Sequence, residues 1–393
     1  MSLRGTQSTG ALPSASTGPL SRLDAADAAR RRIVDPAHRI DSERRRGRGA
    51  VTNPTGRFEP AQRETLEDGW AFEDELPPLT TEVIIEKPRT IIARNDSPDI
   101  GFDRSINPYR GCEHGCSYCF ARPTHAFQGL SSGLDFETKI FAKPSAPDLL
   151  EKELRAKGYS PKTIAMGSNT DPYQPLERRL RITRSILEVL NRTNHPVGIV
   201  TKSALVTRDI DILSQMADRQ LAKVAISITT LDPKLARKME PRAASPAKRL
   251  ETVRRLSEAG IPVTVLVAPI IPAINDHEIE AILKASYAAG AREAGYVLLR
   301  LPYDLKELMR DWLAEHYPDK LNHVFSLLQE ARGGKDYDAG WGVRQSGVGP
   351  FAWMLGRRFE TATARLGMNT RRVQLRTDLF VPPSKDTGQL SLF

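Results

Sequence analysis

Between residues 162 and 301 the chain repeats one pattern: a short β-branched run, then a helical stretch. KTIAMGS (162–168) precedes ITRSILEVLNRT, VGIVTKS (197–203) precedes TRDIDILSQMADR, and KVAISITT (223–230) precedes SPAKRLETVRRLSEAG. VTVLVAPII (263–271) then precedes DHEIEAILKASYAAG, and GYVLLRL (295–301) precedes a helical region from 305 to about 331. Near-continuous apolar strands separated by helices suit a parallel sheet, whose two faces are both covered. Ser245 and Asp276 stand at N-cap positions, and Gly260 and Gly290 where helices should stop. A further strand at about 103–110 brings the count to six β/α units. The expected fold class is therefore α/β, an incomplete barrel, although an open doubly wound sheet has the same periodicity.

Both architectures gather chemistry in the loops after the carboxyl ends of the strands. The first such loop lies in SINPYRGCEHGCSYCFARPTHAF (105–127) and holds every cysteine of the chain, Cys112, Cys116 and Cys119. Ser168, Asn169 and Asp171 end the second strand, Lys202 ends the third, and Ser227 lies in the fourth. Three crowded cysteines cannot all pair, so metal binding or redox work is the reading, rather than a disulfide framework. Two centres fit the residue types. A tetrahedral zinc would recruit His114 or His125 as fourth ligand, whereas an iron–sulfur cubane held by three thiolates would leave one iron open.

The stretch INPYRGCEHGCSYCFAR, with Tyr118 directly before the third cysteine, resembles the cluster-binding loop of the radical S-adenosylmethionine (radical SAM) superfamily. DFETKIFAKPSAPDLL, GSNTDPYQPLERRLRITR, IVTKSALVTRD and EPRAASPAKRLETVRRLSEAGIPV extend the resemblance, over roughly residues 100–300, to the spore photoproduct lyase-like group. It implies a partial (β/α)6 TIM-type barrel with a [4Fe-4S] cluster in its first β/α loop. Cys112, Cys116 and Cys119 would bind three irons, and the amine and carboxylate of S-adenosylmethionine the fourth. Tyr118 would lie by the adenine, and Ser168, Asn169, Asp171, Lys202 and Ser227 match cofactor-binding positions; hydroxyls suit the amine or ribose, and a lysine offsets a carboxylate. The implied chemistry is reductive cleavage of S-adenosylmethionine to a 5′-deoxyadenosyl radical, fed by a donor such as flavodoxin or ferredoxin, in a barrel interior expected to be dry and apolar near residues 267–271. Spore photoproduct lyase returns hydrogen through a further cysteine that this chain lacks. Tyr109, Tyr173, Tyr296 and Tyr303 are candidates for that relay; return by 5′-deoxyadenosine, or a different reaction, are the alternatives.

Charge marks both ends. Residues 1–60 carry 11 arginines against 6 acidic residues, in a Ser-, Gly-, Thr- and Pro-rich composition with the run ERRRGR at 43–48. Such a segment is expected to be disordered, either as a solvated tail or as an arm that neutralises phosphates. At the other end a Pro/Ser linker leads to QLSLF, which resembles the peptide by which bacterial repair proteins hold the DNA sliding clamp. Leu390, Leu392 and Phe393 would serve an apolar pocket and Gln389 its rim, unless the tail simply packs on the domain. The expected organisation is a basic tail (1–60), a lead-in (61–99), the radical SAM core (100–304), a helical C-terminal extension (305–380), and a linker with peptide (381–393).

DNA is the expected partner, with radical modification of RNA, protein or a metabolite, or a non-catalytic iron–sulfur module, as alternatives. No run of about eighteen apolar residues or apolar leader is present, so a cytoplasmic protein without a membrane span is expected. His195 and His277 read as surface or capping groups, and Glu137 with Lys139 as an ion pair. Trp341, Phe351 and Trp353 read as packing for the last helix, with stacking on bases as the alternative.

Overall fold

A computed structural model describes residues 39–60 and 78–384. Its ten strands are β1 (Glu82–Ile85), β2 (Ile92–Arg94), β3 (Arg104–Ile106), β4 (Tyr109–Arg110), β5 (Lys139–Ala142), β6 (Ile164–Met166), β7 (Val197–Thr201), β8 (Ala222–Ser227), β9 (Val263–Ile270) and β10 (Glu293–Leu298). The main sheet runs β2-β3-β6-β7-β8-β9-β10, all parallel except β2, which pairs antiparallel with β3. Each parallel strand lies beside its predecessor, so the order never reverses. A doubly wound sheet needs such a reversal, and the architecture is accordingly the expected six-unit partial barrel. Its open seam, between β10 and β2, is crossed by residues 342–345. There the Leu298 amide donates to the Gln345 carbonyl (2.9 Å), and Asp99 accepts from the Gly342 amide (2.6 Å) and the Arg344 guanidinium.

Alternation sets the two faces of the sheet. Val197, Ile199, Val224, Ile226, Val265 and Val267 are fully buried, while Val200, Ala225, Leu266 and Ala268 between them are half-buried. With period two, the first set belongs to the helix-covered face and the second to the concave one. The concave lining is apolar at these positions, while Lys223 and Thr264, in the same alternation nearer the amino ends, are polar and bond the Val373 carbonyl and Glu293.

Local chemistry adjusts three boundaries. The first strand is split at Asn107-Pro108: β3 joins the barrel, whereas β4 joins a small sheet ordered β1-β5-β4. Pro108 has no amide to give the ladder. The long helical region after 305 is two helices, Leu305–His316 and Leu321–Glu330, broken where Pro318 follows Tyr317. Ser245 caps Pro246–Glu258 through the Lys248 amide, but Asp276 makes no side-chain cap. The buried Glu278 instead accepts from the Leu231 amide (2.7 Å) and Thr230.

The clearest departure concerns residues 39–60, expected as part of a disordered basic tail. They are packed. Arg48 is buried and donates to the carbonyls of Glu137 (2.9 Å) and Leu79 (3.0 Å) and to Thr81 (3.2 Å), while Arg45 pairs with Glu315 (2.9 Å). Thr52 donates to Asp311 (2.7 Å). Approach is backbone to backbone: a β-carbon on Gly49 would stand 1.6 Å from the Gly115 carbonyl oxygen, and one on Gly56 2.4 Å from that of Leu130. These arginines are structural partners of remote acceptors. Residues 1–38, 61–77 and 385–393 lie outside the described residues.

The C-terminal chain packs at the opposite, amino edge of the strands, where Val381 donates to the Thr193 carbonyl (2.9 Å) and Phe380 closes on His195 and Tyr159. His195 is thus buried, contrary to the surface reading, with Nε2 2.8 Å from the Tyr159 hydroxyl. Burial lowers its pKa to about 4, against roughly 6.5 in an unfolded chain. The unfolded state then takes up a proton that the folded state refuses. Stability is unaffected by this group above about pH 6.5 and declines as pH falls from there to about 4. A His195→Gln variant should show a shallower decline of the urea midpoint across that window; an unchanged slope would count against the assignment.

Candidate active site

Cys112 follows β4 after a turn through Gly111, and the loop carries Cys116 and Cys119 before the 3-10 helix Arg122–Gln128. All three are free; Cys112 and Cys116 are buried and Cys119 is half-buried. Neighbouring elements hold this loop through hydrogen bonds. The Cys112 amide donates to the Phe136 carbonyl (2.9 Å), and the Ser117 amide to that of Met239 (3.0 Å). Gln174 accepts from the Glu113 amide (3.0 Å), and Thr170 donates to the Gly111 carbonyl (2.7 Å), so the loop after β6 lies directly against it.

Beneath the loop is a buried ion pair. Arg122 and Glu137 are both fully buried, 2.5 Å apart. Arg122 also donates to the carbonyls of Cys116 (2.8 Å) and Gly133 (2.8 Å), and Glu137 accepts from the amides of Gly49 (2.9 Å) and Ala50 (2.8 Å). Glu137 therefore does not pair with Lys139, which reaches Asp135 instead (3.4 Å).

Asp171 joins the loops after β4, β6 and β7. Its carboxylate accepts from Thr201 (2.7 Å), the Lys202 amide (2.9 Å) and its own turn at the Tyr173 amide (2.9 Å), and lies 3.3 Å from His114 Nδ1. Burial alone would raise this carboxyl, but His114 and the donors outweigh it and hold it at about 2. Every one of these contacts is to protein, so Asp171 fastens the site together.

Tyr118 is buried and donates to Glu240, which also accepts from Thr229 (2.6 Å) and pairs with Arg249. Arg249 donates in turn to the Ser227 carbonyl (3.0 Å). Burial, then the Cys116 and Glu240 charges, push the Tyr118 hydroxyl well up, which keeps it a donor; burial opposes the Glu240 charge, but Arg249 and Lys202 hold that carboxyl down. The Lys202 amine sits 5.6 Å from the Tyr118 ring centre. Ser168 is 3.1 Å from Asn107, which also accepts from the Asn169 amide (3.0 Å). Ser227 donates to the Ala268 carbonyl (2.9 Å) and so also ties β8 to β9.

The structure thus gathers Tyr118, Asp171 and Lys202 with the cysteines, and Ser168 and Asn169 beside Asn107. The four tyrosines divide differently. Tyr109 and Tyr173 are buried donors to Glu177 and Asp209, and Tyr296 packs tilted against Phe359 of the helix Gly349–Leu366, 4.8 Å between centres. Tyr303 is exposed. Asn107, Gln174, Arg122, Glu240 and Arg249 went unread in the sequence, although each lies in or beside a motif stretch. Their signal was a polar residue within such a stretch with no role of its own. Residues 389–393 lie outside the described residues.

The donor set fits a cluster. His114 is engaged by Asp171, and His125 Nε2 lies 3.0 Å from the Lys139 carbonyl, so neither turns to the cysteines. Among the described residues no three His, Cys, Asp or Glu side chains converge on a single ion. A cubane needs its three thiolates on three separate irons. Ser117, between two of the cysteines, has its hydroxyl buried without a hydrogen-bond partner among the described residues. Burial pushes the Cys116 thiol up to about 12, with Lys202 opposing, and Cys112 well up too, so metal loading must expel protons.

Comparison with known proteins agrees. The Radical SAM superfamily model matches residues 106–285. An uncharacterised protein of Mycobacterium tuberculosis is 34% identical over 230 residues, 58% of this chain and 68% of that one. A radical SAM Nalpha-GlyT isomerase of Pseudomonas phage M6 is 22% identical over 231 residues, 58% of this chain and 46% of that one. Among solved structures, spore photoproduct lyase complexed with dinucleoside spore photoproduct superposes with a TM-score of 0.50 at 16% identity, over 72% of this chain and 78% of the other, a likeness of fold. The chain therefore belongs to the radical SAM superfamily and uses its [4Fe-4S] cluster and S-adenosylmethionine.

Proposed function

We propose that this enzyme acts on a lesion in DNA and is held at the sliding clamp by its C-terminal peptide. A bound, reduced cluster would supply one-electron cleavage of the S–C5′ bond of S-adenosylmethionine, releasing methionine and a hydrogen-abstracting 5′-deoxyadenosyl radical. The protein's share is placement. Cys112, Cys116 and Cys119 hold the cluster; Lys202 lies where it can offset a carboxylate, and Ser168 where it can bond the amine or ribose. Arg249 and Glu240 keep Tyr118 in position, and the apolar concave face keeps water from the reacting centre.

One observation carries the DNA reading: a fold like that of spore photoproduct lyase is joined in this chain to a terminal QLSLF after a polar linker. The geometry suits a tether. Residues 381–384 lie at the amino edge, where Arg155 donates to the Ser384 carbonyl (3.0 Å), so the described chain ends on the side away from the cysteines. The missing fourth cysteine speaks against the lyase's own hydrogen return, and among the four tyrosines Tyr303 is the exposed one.

The test is anaerobic. Protein reconstituted with iron and sulfide, reduced and given S-adenosylmethionine should form 5′-deoxyadenosine faster with one lesion-bearing DNA than with undamaged DNA. Formation that no DNA alters would redirect the search to RNA, protein or a metabolite. Deleting residues 389–393 should abolish clamp binding and leave the cleavage rate unchanged; undiminished clamp binding would refute the tether.

A further inference from the structure

Two groups of exposed rings lie at the carboxyl edge beside the cysteine loop. Phe120 directly follows Cys119 and has the Arg300 guanidinium 5.1 Å from its centre. Phe58 and Phe127 stack on each other at 5.6 Å and 27°, and Arg57 lies over Tyr303 (4.1 Å) and near Phe58 (5.5 Å). Phe58, Phe127 and Tyr303 are 57%, 69% and 66% exposed, in a chain with only 6% aromatic residues and a large core to receive them. The two groups form one lip, because they share elements. Phe120 and Phe127 flank the 3-10 helix after the cysteines, Arg300 and Tyr303 follow β10, and Arg57 bridges them by donating to the Pro123 carbonyl (3.0 Å) and pairing with Asp304 (3.3 Å).

We infer that this lip seats unpaired nucleotides of a DNA strand, presenting a base to the concave side of the barrel. The inference rests on the DNA reading above and deepens it. Ring faces and guanidinium planes stack on any base, and an arginine meets the phosphate beside it. The surface has that composition: four exposed rings and two arginines, with no exposed Leu, Ile or Met among them. Arg300 donates to the Tyr337 hydroxyl (3.3 Å) and meets no carboxylate there, and its Nε is buried with no hydrogen-bond partner among the described residues. An apolar protein partner would leave that cation unanswered; a phosphate answers it. Phe58 and Arg57 come from the packed N-terminal segment, so the lip belongs to two parts of the chain far apart in sequence.

The experiment uses the full chain and a fluorescein-labelled oligodeoxynucleotide, single-stranded, duplex, or duplex with an unpaired bulge, followed by anisotropy. The wild type should prefer the single strand and the bulge. Phe58→Ala, Phe127→Ala and Tyr303→Ala should each weaken that binding roughly tenfold while barely changing duplex binding. Arg300→Gln should reduce the salt slope by about one. All three rings are exposed, and unchanged urea midpoints verify that the variants fold. Wild-type binding that the ring variants leave intact overturns the lip alone, and a wild type that binds no DNA overturns the DNA reading with it. A lip that serves the electron donor or a second copy of the chain would appear as intact oligonucleotide binding with slowed reduction by flavodoxin or altered sedimentation, and either overturns the inference.

Discussion

Cys116→Ala yields a folded, colourless protein that forms no 5′-deoxyadenosine. The chain has three cysteines and no spare. The two histidines in reach of the loop are held by Asp171 and by the Lys139 carbonyl, so neither is placed to replace a lost thiolate. The fold should tolerate the change, because a buried free cysteine is a small apolar group and alanine keeps most of its shape. The loop also hangs on backbone bonds at Cys112, Glu113 and Ser117 and on Arg122, none of which involves the Cys116 sulfur. The measurement is iron content, absorbance and nucleoside yield after identical reconstitution, together with a urea midpoint. A variant that retains the brown chromophore and full iron would contradict the ligand assignment.

Glu137→Ala should have the largest effect on stability of any single change described above. It strands the buried Arg122 guanidinium and two backbone amides, those of Gly49 and Ala50, at once. Breaking a buried pair costs about 3–5 kcal/mol, a large share of a typical stability of about 5–15 kcal/mol. The N-terminal segment should also come away, since its two bonds to that carboxylate vanish. Urea unfolding reports the first effect. An arginine-specific protease reports the second, because residues 44–48 hold four arginines that become cleavable once undocked. A loss below about 1 kcal/mol with unaltered proteolysis would show that the pair does not hold the segment.

The barrel and the cysteine centre were legible in the sequence for different reasons. Strand and helix periodicities depend on local pattern, and the five runs from 162 onwards each became a strand of the sheet. The cysteines are legible because ligand spacing is local too. What escaped depends on remote partners. An arginine in a Gly-rich basic run reads as solvated, yet Arg48 finds its acceptor 89 residues away at Glu137. Tyr118 reads as a cofactor neighbour, but its hydroxyl partner is 122 residues on, at Glu240. His195 looks like a surface residue until Phe380 covers it. Asn107 was hidden inside what read as a continuous strand, and Asp171 proved to be the hub of three loops.

The packed N-terminal segment also has a meaning in time. It leaves the ribosome before the groups that seat it, Glu137, Asp311 and Glu315, which follow by 87 to 276 residues. Its full docking therefore waits for residues 311–315. Until the helix Leu305–His316 has emerged, the backbone of Gly115 in the cysteine loop lacks its full cover. Completion of this cover over the cysteine loop is thereby coupled to synthesis of a helix far along the chain.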